Sequence, residues 1–380
     1  MQNDHSSSRR KFLYNISLAG LSIPLLSAAA YYNAPSASKK IMSNKEQGKL
    51  GIALVGLGSY ATSILAPALQ QAKHCYLAAI VTGTPSKAAE WKARYNIPEK
   101  NIYNYENFDS IQHNAEIDIV YIVLPNFLHA TYSIRAAQAG KHVICEKPMA
   151  ITVADCDRMI AASKQAGKQL SIGYRLHFDP YHGEMIRLAK EKSNGPLTGI
   201  AAGFSFVAQK GIWRLDKEKA GGGALMDLGI YCLQAVMYLT GQEPISVMAQ
   251  ALPITDKERF VNIEETLNWQ MEMPGGLVAD CTTSYNERQN ILRIEKGEQW
   301  FQLKPAFNYT GLKAQAFDNR VIEFPATSQQ QLQMDAFALA VKNNQPSIVS
   351  GEMGRRDVKI LQAIYEAMNT GKRVLIPSDK

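Results

Sequence analysis

The apolar positions of this chain follow two rhythms. Residues 50–55 form a continuous apolar run, and a helical pattern then extends through about residue 72. Further runs of strand length cover residues 76–82, 117–125, 142–145 and 169–175. Between them, helical spacing covers residues 127–139, with Gly140 placed as a cap, and about 153–166. Short strands without polar alternation, separated by helices, predict an α/β, doubly wound parallel sheet buried on both faces. From about Gly199 the rhythm changes. One helix is expected from residue 222 to about 239, several alternating strands between 245 and 324, and helices at 331–343 and 352–370. That pattern predicts an α+β domain around a large, mostly antiparallel sheet, with the last helices packing back. The expected division is a leader (1–30), an arm (31–48), a dinucleotide-binding Rossmann domain (49–175) and a second domain (176–380).

Length supports that division, since 380 residues is long for one hydrophobic core. Net charge is +7, but residues 1–49 hold seven Lys/Arg against two Asp/Glu, or +5, leaving about +2 for the rest. That is no polyanion footprint, so no nucleic-acid partner is expected. Cys75, Cys145, Cys156, Cys232 and Cys281 are odd in number and widely spaced, the pattern of buried thiols rather than a disulfide framework. No cluster with metal-ligand spacing occurs, and no metal is expected.

The leader reads Arg9-Arg10-Lys11-Phe12-Leu13, then a mildly apolar stretch ending in Ala28-Ala29-Ala30. This is the pattern of a twin-arginine export signal, which makes the export machinery an expected partner and the periplasm the expected location. The stretch is broken by Asn15, Gly20 and Pro24, which suits a signal better than a membrane span of roughly 20 apolar residues.

The first strand runs into Gly56-Leu-Gly58-Ser59-Tyr60-Ala61, a GxGxxA turn between strand and helix. Gly56 permits the turn and Gly58 lets backbone approach a pyrophosphate. The helix start that follows offers free N–H groups to the anion. After the second strand, where NAD enzymes commonly carry a carboxylate, this chain has Thr82-Gly83-Thr84-Pro85-Ser86-Lys87. Hydroxyls and a lysine would bind a 2′-phosphate that a carboxylate would repel, which favours NADP. Lys147 ends another strand, and Asp227 and Tyr231 stand four residues apart in an apolar helical segment, on one face. Oxidation of an alcohol requires removal of a proton as well as two electrons, and a Lys/Asp/Tyr group meets that need.

Gly56–Ala61, Leu124-Pro-Asn-Phe-Leu-His129, Gly140-Lys-His-Val-Ile-Cys-Glu-Lys-Pro148 and the Gly221–Tyr231 segment resemble the glucose–fructose oxidoreductase/inositol dehydrogenase/MocA (Gfo/Idh/MocA) family. Within it the chain is most similar to periplasmic glucose–fructose oxidoreductases and related aldose oxidoreductases. The resemblance implies catalytic roles for Lys147, Asp227 and Tyr231, with Tyr231 as proton donor and acceptor. It implies that Thr82 and Lys87 bind the 2′-phosphate and that Tyr105 lies near the adenine. Leu124, Pro125, Asn126, His129, Glu146, Arg175, Trp213 and Arg214 would line the cofactor. It also implies a homodimer or homotetramer formed through the open face of the second sheet.

An exported enzyme meets little free cofactor, so the expectation is tightly bound NADP, recycled in place. One aldose would be oxidised at C1 to its lactone and a second sugar reduced to a polyol, with ping-pong kinetics. Three alternatives stand beside it. They are a conventional NADP-dependent aldose or anhydrosugar dehydrogenase or reductase with exchangeable cofactor, an NAD-dependent glycosidase, and a non-catalytic sugar-binding protein.

Overall fold

The computed structural model describes residues 44–45 and 47–377. The expected leader and most of the arm lie outside the described residues. The first sheet comprises β1 (Leu50–Val55), β2 (Cys75–Val81), β3 (Ile102–Tyr103), β4 (Ile119–Ile122), β5 (His142–Cys145) and β6 (Leu170–Ile172). Its spatial order is β3-β2-β1-β4-β5-β6 and every pairing is parallel. β1, β4 and β5 are buried almost throughout, as the continuous apolar runs require. Helices α1 (Ala66–Gln71), α2 (Pro85–Tyr95), α3 (Asn126–Gln138) and α4 (Val153–Gln165) accompany the sheet. Strand order reverses at β1, so the crevice for a ligand opens beyond the carboxyl ends of β1 and β4.

Two expected strands are shorter than their apolar runs. The 117–125 run is strand only to Ile122, because Pro125 caps α3. The 169–175 run leaves the sheet after Ile172, and Arg175 opens a tight turn through Phe178. The bend falls at Gly173, where an added Cβ would lie 2.8 Å from the Glu146 carboxyl group. Arg175 is thereby turned from the sheet toward the second half of the molecule.

Helix α5 (Pro180–Lys190) leads into the second sheet: β7 (Gly199–Ser205), β8 (Ser246–Ala251), β9 (Thr266–Glu272), β10 (Val278–Ser284), β11 (Gln289–Lys296), β12 (Gln299–Leu303), β13 (Ala314–Ala316), β14 (Val321–Ile322) and β15 (Val374–Leu375). The order is β14-β13-β12-β11-β7-β10-β9-β8-β15, antiparallel except for β7 with β10. Alternation is clear on β9, where Leu267, Trp269 and Met271 are buried while Asn268 and Gln270 are exposed. The short α6 (Lys217–Ala220) and the largely buried α7 (Ile230–Thr240) connect β7 to β8.

The last helices return to the first sheet. On α8 (Gln329–Lys342), Met334, Phe337 and Ala338 pack into one core with Ile52, Leu54, Leu65 and Ile119. Asp335 accepts from the backbone N–H groups of Lys73 and His74 at 2.9 and 2.7 Å, fastening α8 to the end of α1. α9 (Gly351–Thr370) is joined to β6, where Ile172 N–H donates to the Val349 carbonyl at 2.9 Å.

Candidate active site

The glycine turn is built by contact. Gly56 has φ +91°, and a Cβ on it would lie 2.4 Å from the Val123 carbonyl, so the turn presses on the end of β4. Gly58 is the opposite case: a Cβ there would meet nothing within 4 Å. The turn faces a cavity of about 910 Å³ with Gly56, Gly58, Ser59 and Tyr60 in its wall. Ala61, fully buried, begins a wider, π-type turn through Leu65, and α1 continues from it.

From that turn the cavity extends in two directions. Past β2 it is lined by Thr82, Gly83, Thr84, Lys87 and Tyr105. Lys87 Nζ donates to the Leu57 carbonyl at 3.1 Å, which lays the ammonium over the glycine turn. Gly83 lies under the Tyr105 ring, 3.1 Å from where its Cβ would be. The acidic residues lining the cavity, Glu146 and Asp227, belong to its other end. The open space at Gly58 and the lysine and hydroxyls beyond β2 fit a nicotinamide dinucleotide with a 2′-phosphate.

The other direction passes Leu124, Pro125 and Asn126 to Glu146, Lys147, Arg175, Trp213, Arg214, Asp227 and Tyr231. Asp227 stands in a second π-type turn, Leu225–Gly229, which runs into α7 carrying Tyr231. Such turns recur at functional sites. Lys147 Nζ donates to the Asp227 carbonyl at 2.7 Å and to its Oδ1 at 3.0 Å, and lies 4.5 Å from the centre of the Tyr231 ring. Asp227 Oδ2 accepts from Tyr285 at 3.0 Å and pairs with Arg214 Nε at 2.9 Å. The Tyr231 oxygen accepts from Arg175 Nε at 3.2 Å.

These contacts set the charges. Burial would raise the Asp227 pKa, but Lys147 and Arg214 outweigh it and hold the carboxyl well below its usual range. Burial would likewise discharge Lys147, but Asp227 and Tyr231 reverse that, and its pKa is raised. The carboxylate therefore stays anionic and the lysine cationic. Glu146 is the contrast. Its burial outweighs the hydrogen bond from Tyr121 at 2.7 Å and the attraction of Lys147, and its pKa rises.

Of the residues expected at the site, the structure brings all but one to the cavity wall. His129 does not reach it. The ring is fully buried, with Nδ1 2.8 Å from the Pro148 carbonyl and Nε2 2.8 Å from the Leu124 carbonyl. Burial lowers its pKa, and the neutral ring, with a single N–H, donates to one of these two carbonyls behind the cavity wall. Sequence reasoning missed Phe204 and the loop from Phe307 to Thr310, which line the cavity, and Tyr285, which holds Asp227. It also missed three buried glutamines of α8. Gln329 accepts from Arg175, Gln330 donates to Tyr60 at 3.4 Å, and Gln333 donates at 2.9 Å to the Tyr121 hydroxyl that serves Glu146.

The profile of an oxidoreductase family with an NAD-binding Rossmann fold matches residues 50–174, and that of the GFO/IDH/MocA C-terminal domain matches residues 182–299. Among solved structures, the aldose-aldose oxidoreductase from Caulobacter crescentus, complexed with glycerol, is 40% identical with a TM-score of 0.84, covering 86% of this chain and 100% of that one. Among curated proteins, a D-xylose 1-dehydrogenase [NADP(+)] of Haloarcula marismortui is 29% identical over 337 residues, covering 85% of this chain and 92% of its own. A D-xylose 1-dehydrogenase (NADP(+)) of Haloferax volcanii is 28% identical, covering 86% and 98%. Two successive domain profiles and a full-length likeness at that identity agree with the geometry: the chain is an oxidoreductase and belongs to the Gfo/Idh/MocA family.

Proposed function

We propose that this protein is an NADP-dependent sugar oxidoreductase that oxidises an aldose at C1 to its lactone and reduces a second sugar to a polyol. NADP stays bound between the two half-reactions. The reading is carried by the 40% identity, over the whole of that chain, to a protein named aldose-aldose oxidoreductase, together with the Lys147–Asp227–Tyr231 arrangement. The overall reaction balances: the aldose loses two electrons and two protons, and the second sugar gains both.

When bound, the nicotinamide supplies reversible acceptance of the electron pair, and the chain's residues manage the proton. Asp227 takes two of the three Lys147 N–H donors, one through its backbone carbonyl. The third remains for the sugar oxygen. Arg175 donates to the Tyr231 oxygen, so the phenol's own proton points elsewhere and is free for exchange with the sugar hydroxyl. Gly56, Gly58, Ser59 and Tyr60 would hold the pyrophosphate, and Thr82, Gly83 and Lys87 the 2′-phosphate, with Tyr105 beside the adenine.

Residues 1–30 are proposed to export the folded protein through the twin-arginine machinery to the periplasm, ahead of an arm over 31–48. Residues 49–175 and 176–380 are proposed as the two domains, with a homodimer or homotetramer built on the outer face of the second sheet. A second reading, an aldose dehydrogenase that exchanges free NADP, is favoured by the two NADP(+)-dependent xylose dehydrogenases among the relatives. Initial rates with two sugars separate the readings. Parallel double-reciprocal lines, and NADP that follows the protein through gel filtration, are expected; intersecting lines and cofactor-free protein would favour exchange. Tyr231→Phe is expected to abolish turnover while retaining NADP.

A further inference from the structure

The Phe307–Thr310 part of the loop between β12 and β13 lines the cavity and is fastened from several sides. Asn290 Oδ1 accepts from the backbone N–H groups of Ala306 and Phe307, each at 2.7 Å, and its amide donates to Asn308 Oδ1 at 2.7 Å. Arg175 donates to the carbonyls of Phe307 at 2.6 Å and Asn308 at 3.2 Å. The loop presents Tyr309 in a column of groups. Its ring stacks on Tyr60 with centroids 5.7 Å apart. The Arg175 guanidinium lies 4.5 Å from the Tyr309 centroid and 4.8 Å from that of Tyr231.

Tyrosine at a surface normally keeps its ring in the protein and its hydroxyl in water. Tyr309, 41% exposed, does so in the cavity wall: it lines the cavity together with Tyr231 and Arg175, and its ring is held by Tyr60 and Arg175. Burial above all, then Tyr231, raises its pKa against the pull of Arg175, so the hydroxyl is a donor at any working pH. Among the described residues it has no hydrogen-bond partner. A phenol in the wall of an open cavity leaves its hydroxyl to water, which a hydroxylated ligand can displace by reproducing the hydrogen bond.

We infer that Tyr309 is a specificity-determining residue whose hydroxyl binds one ring hydroxyl of the sugar, at a carbon other than the one that reacts. Resting on the sugar reading above, this makes Tyr309 a selector among aldoses rather than a participant in proton transfer. A position held by a well-placed hydroxyl rejects the analogue that lacks its partner.

The test measures dissociation constants of glucose and each of its monodeoxy analogues by calorimetry, on NADP-loaded wild-type protein and Tyr309→Phe. Wild type is expected to bind one of the analogues about tenfold more weakly than glucose, and Tyr309→Phe to bind the two alike. Melting temperature and NADP affinity are expected to be unchanged, since the ring and its stacking on Tyr60 remain. If the variant keeps every wild-type penalty, Tyr309 has no such role and the sugar reading stands. Loss of NADP affinity instead would assign the hydroxyl to the cofactor and overturn the inference. If wild type binds glucose and its analogues no better than an unrelated polyol, both this inference and the sugar reading fall.

Discussion

The two glycines of the cofactor turn perform different work, and alanine separates them. At Gly56 an L-residue would adopt φ +91°, a conformation that costs roughly 1–2 kcal/mol. Its Cβ would stand 2.4 Å from the Val123 carbonyl, about 1 Å inside ordinary contact, an overpacking worth roughly 1–3 kcal/mol. Together these give about 2–5 kcal/mol, a large part of a typical total stability. For a chain of this length the loss corresponds to a fall in Tm of about 3–6 °C. Gly58→Ala meets neither obstacle, as its Cβ has no neighbour within 4 Å and its φ is not positive. That empty space is where a pyrophosphate would lie against the backbone. A methyl group there is expected to weaken NADP binding about 10- to 100-fold, from a similar overpacking cost borne by the complex alone. Thermal melting of cofactor-free protein and fluorescence titration with NADPH read the two effects independently. The reasoning is refuted if Gly58→Ala binds NADPH as wild type does, or if Gly56→Ala melts with wild type.

Two further outcomes follow from single side chains. Lys87→Ala removes the ammonium lying over the glycine turn and is expected to weaken NADP binding about tenfold or more while leaving NAD binding near wild type, measured by parallel titrations. His142 has its pKa lowered to about 4, chiefly by burial and then by Lys168. The unfolded chain therefore binds the extra proton between pH 6.5 and 4, and stability falls as pH falls through that window. Discounted for its partial exposure, the effect is about 1–2 kcal/mol. His142→Asn, which keeps an acceptor for the Gln169 N–H, is expected to lose that part of the pH dependence in urea unfolding at pH 7 and pH 4.5.

Legibility in the sequence followed the physical origin of each feature. β1 and β5 coincide with their apolar runs to the residue, because both faces of those strands are covered and adjoining glycine or charged residues end the run. α2 carries no apolar stripe, since Trp91 is its one buried residue, and so no helix was expected there. α5 does carry a local signal: Asp179 before Pro180 is a capping start, followed by buried His182, Met185, Leu188 and Ala189. The site divides in the same way. Residues at strand ends were legible because a doubly wound sheet brings those ends together wherever the helices lie. Tyr285, the Phe307–Thr310 loop and the α8 glutamines arrive from far along the chain. Their local patterns describe a strand end, a loop and an ordinary helix, and only tertiary packing gives them a role. His129 is the converse, a motif residue whose work is to hold backbone rather than ligand.

The glutamines explain how the two halves of the site are kept in register. Positions 329, 330 and 333 share one face of α8, and each reaches a different site residue: Arg175, Tyr60 and, through Tyr121, Glu146. Arg175 is 2% exposed and, among the described residues, has no carboxylate within ion-pair distance. A glutamate at position 329 would supply one, and the ion pair would draw the guanidinium's charge from the Tyr231 oxygen. A neutral amide satisfies a guanidinium N–H without that competition, because it offers a dipole and not a charge. Gln329 meanwhile donates to Asp179 at 2.8 Å, so its own amide is not left unmade. Four of the five N–H donors of the buried guanidinium are thus hydrogen-bonded among the described residues and its charge is not neutralised, so it remains available to the Tyr231 oxygen, the group proposed to exchange a proton.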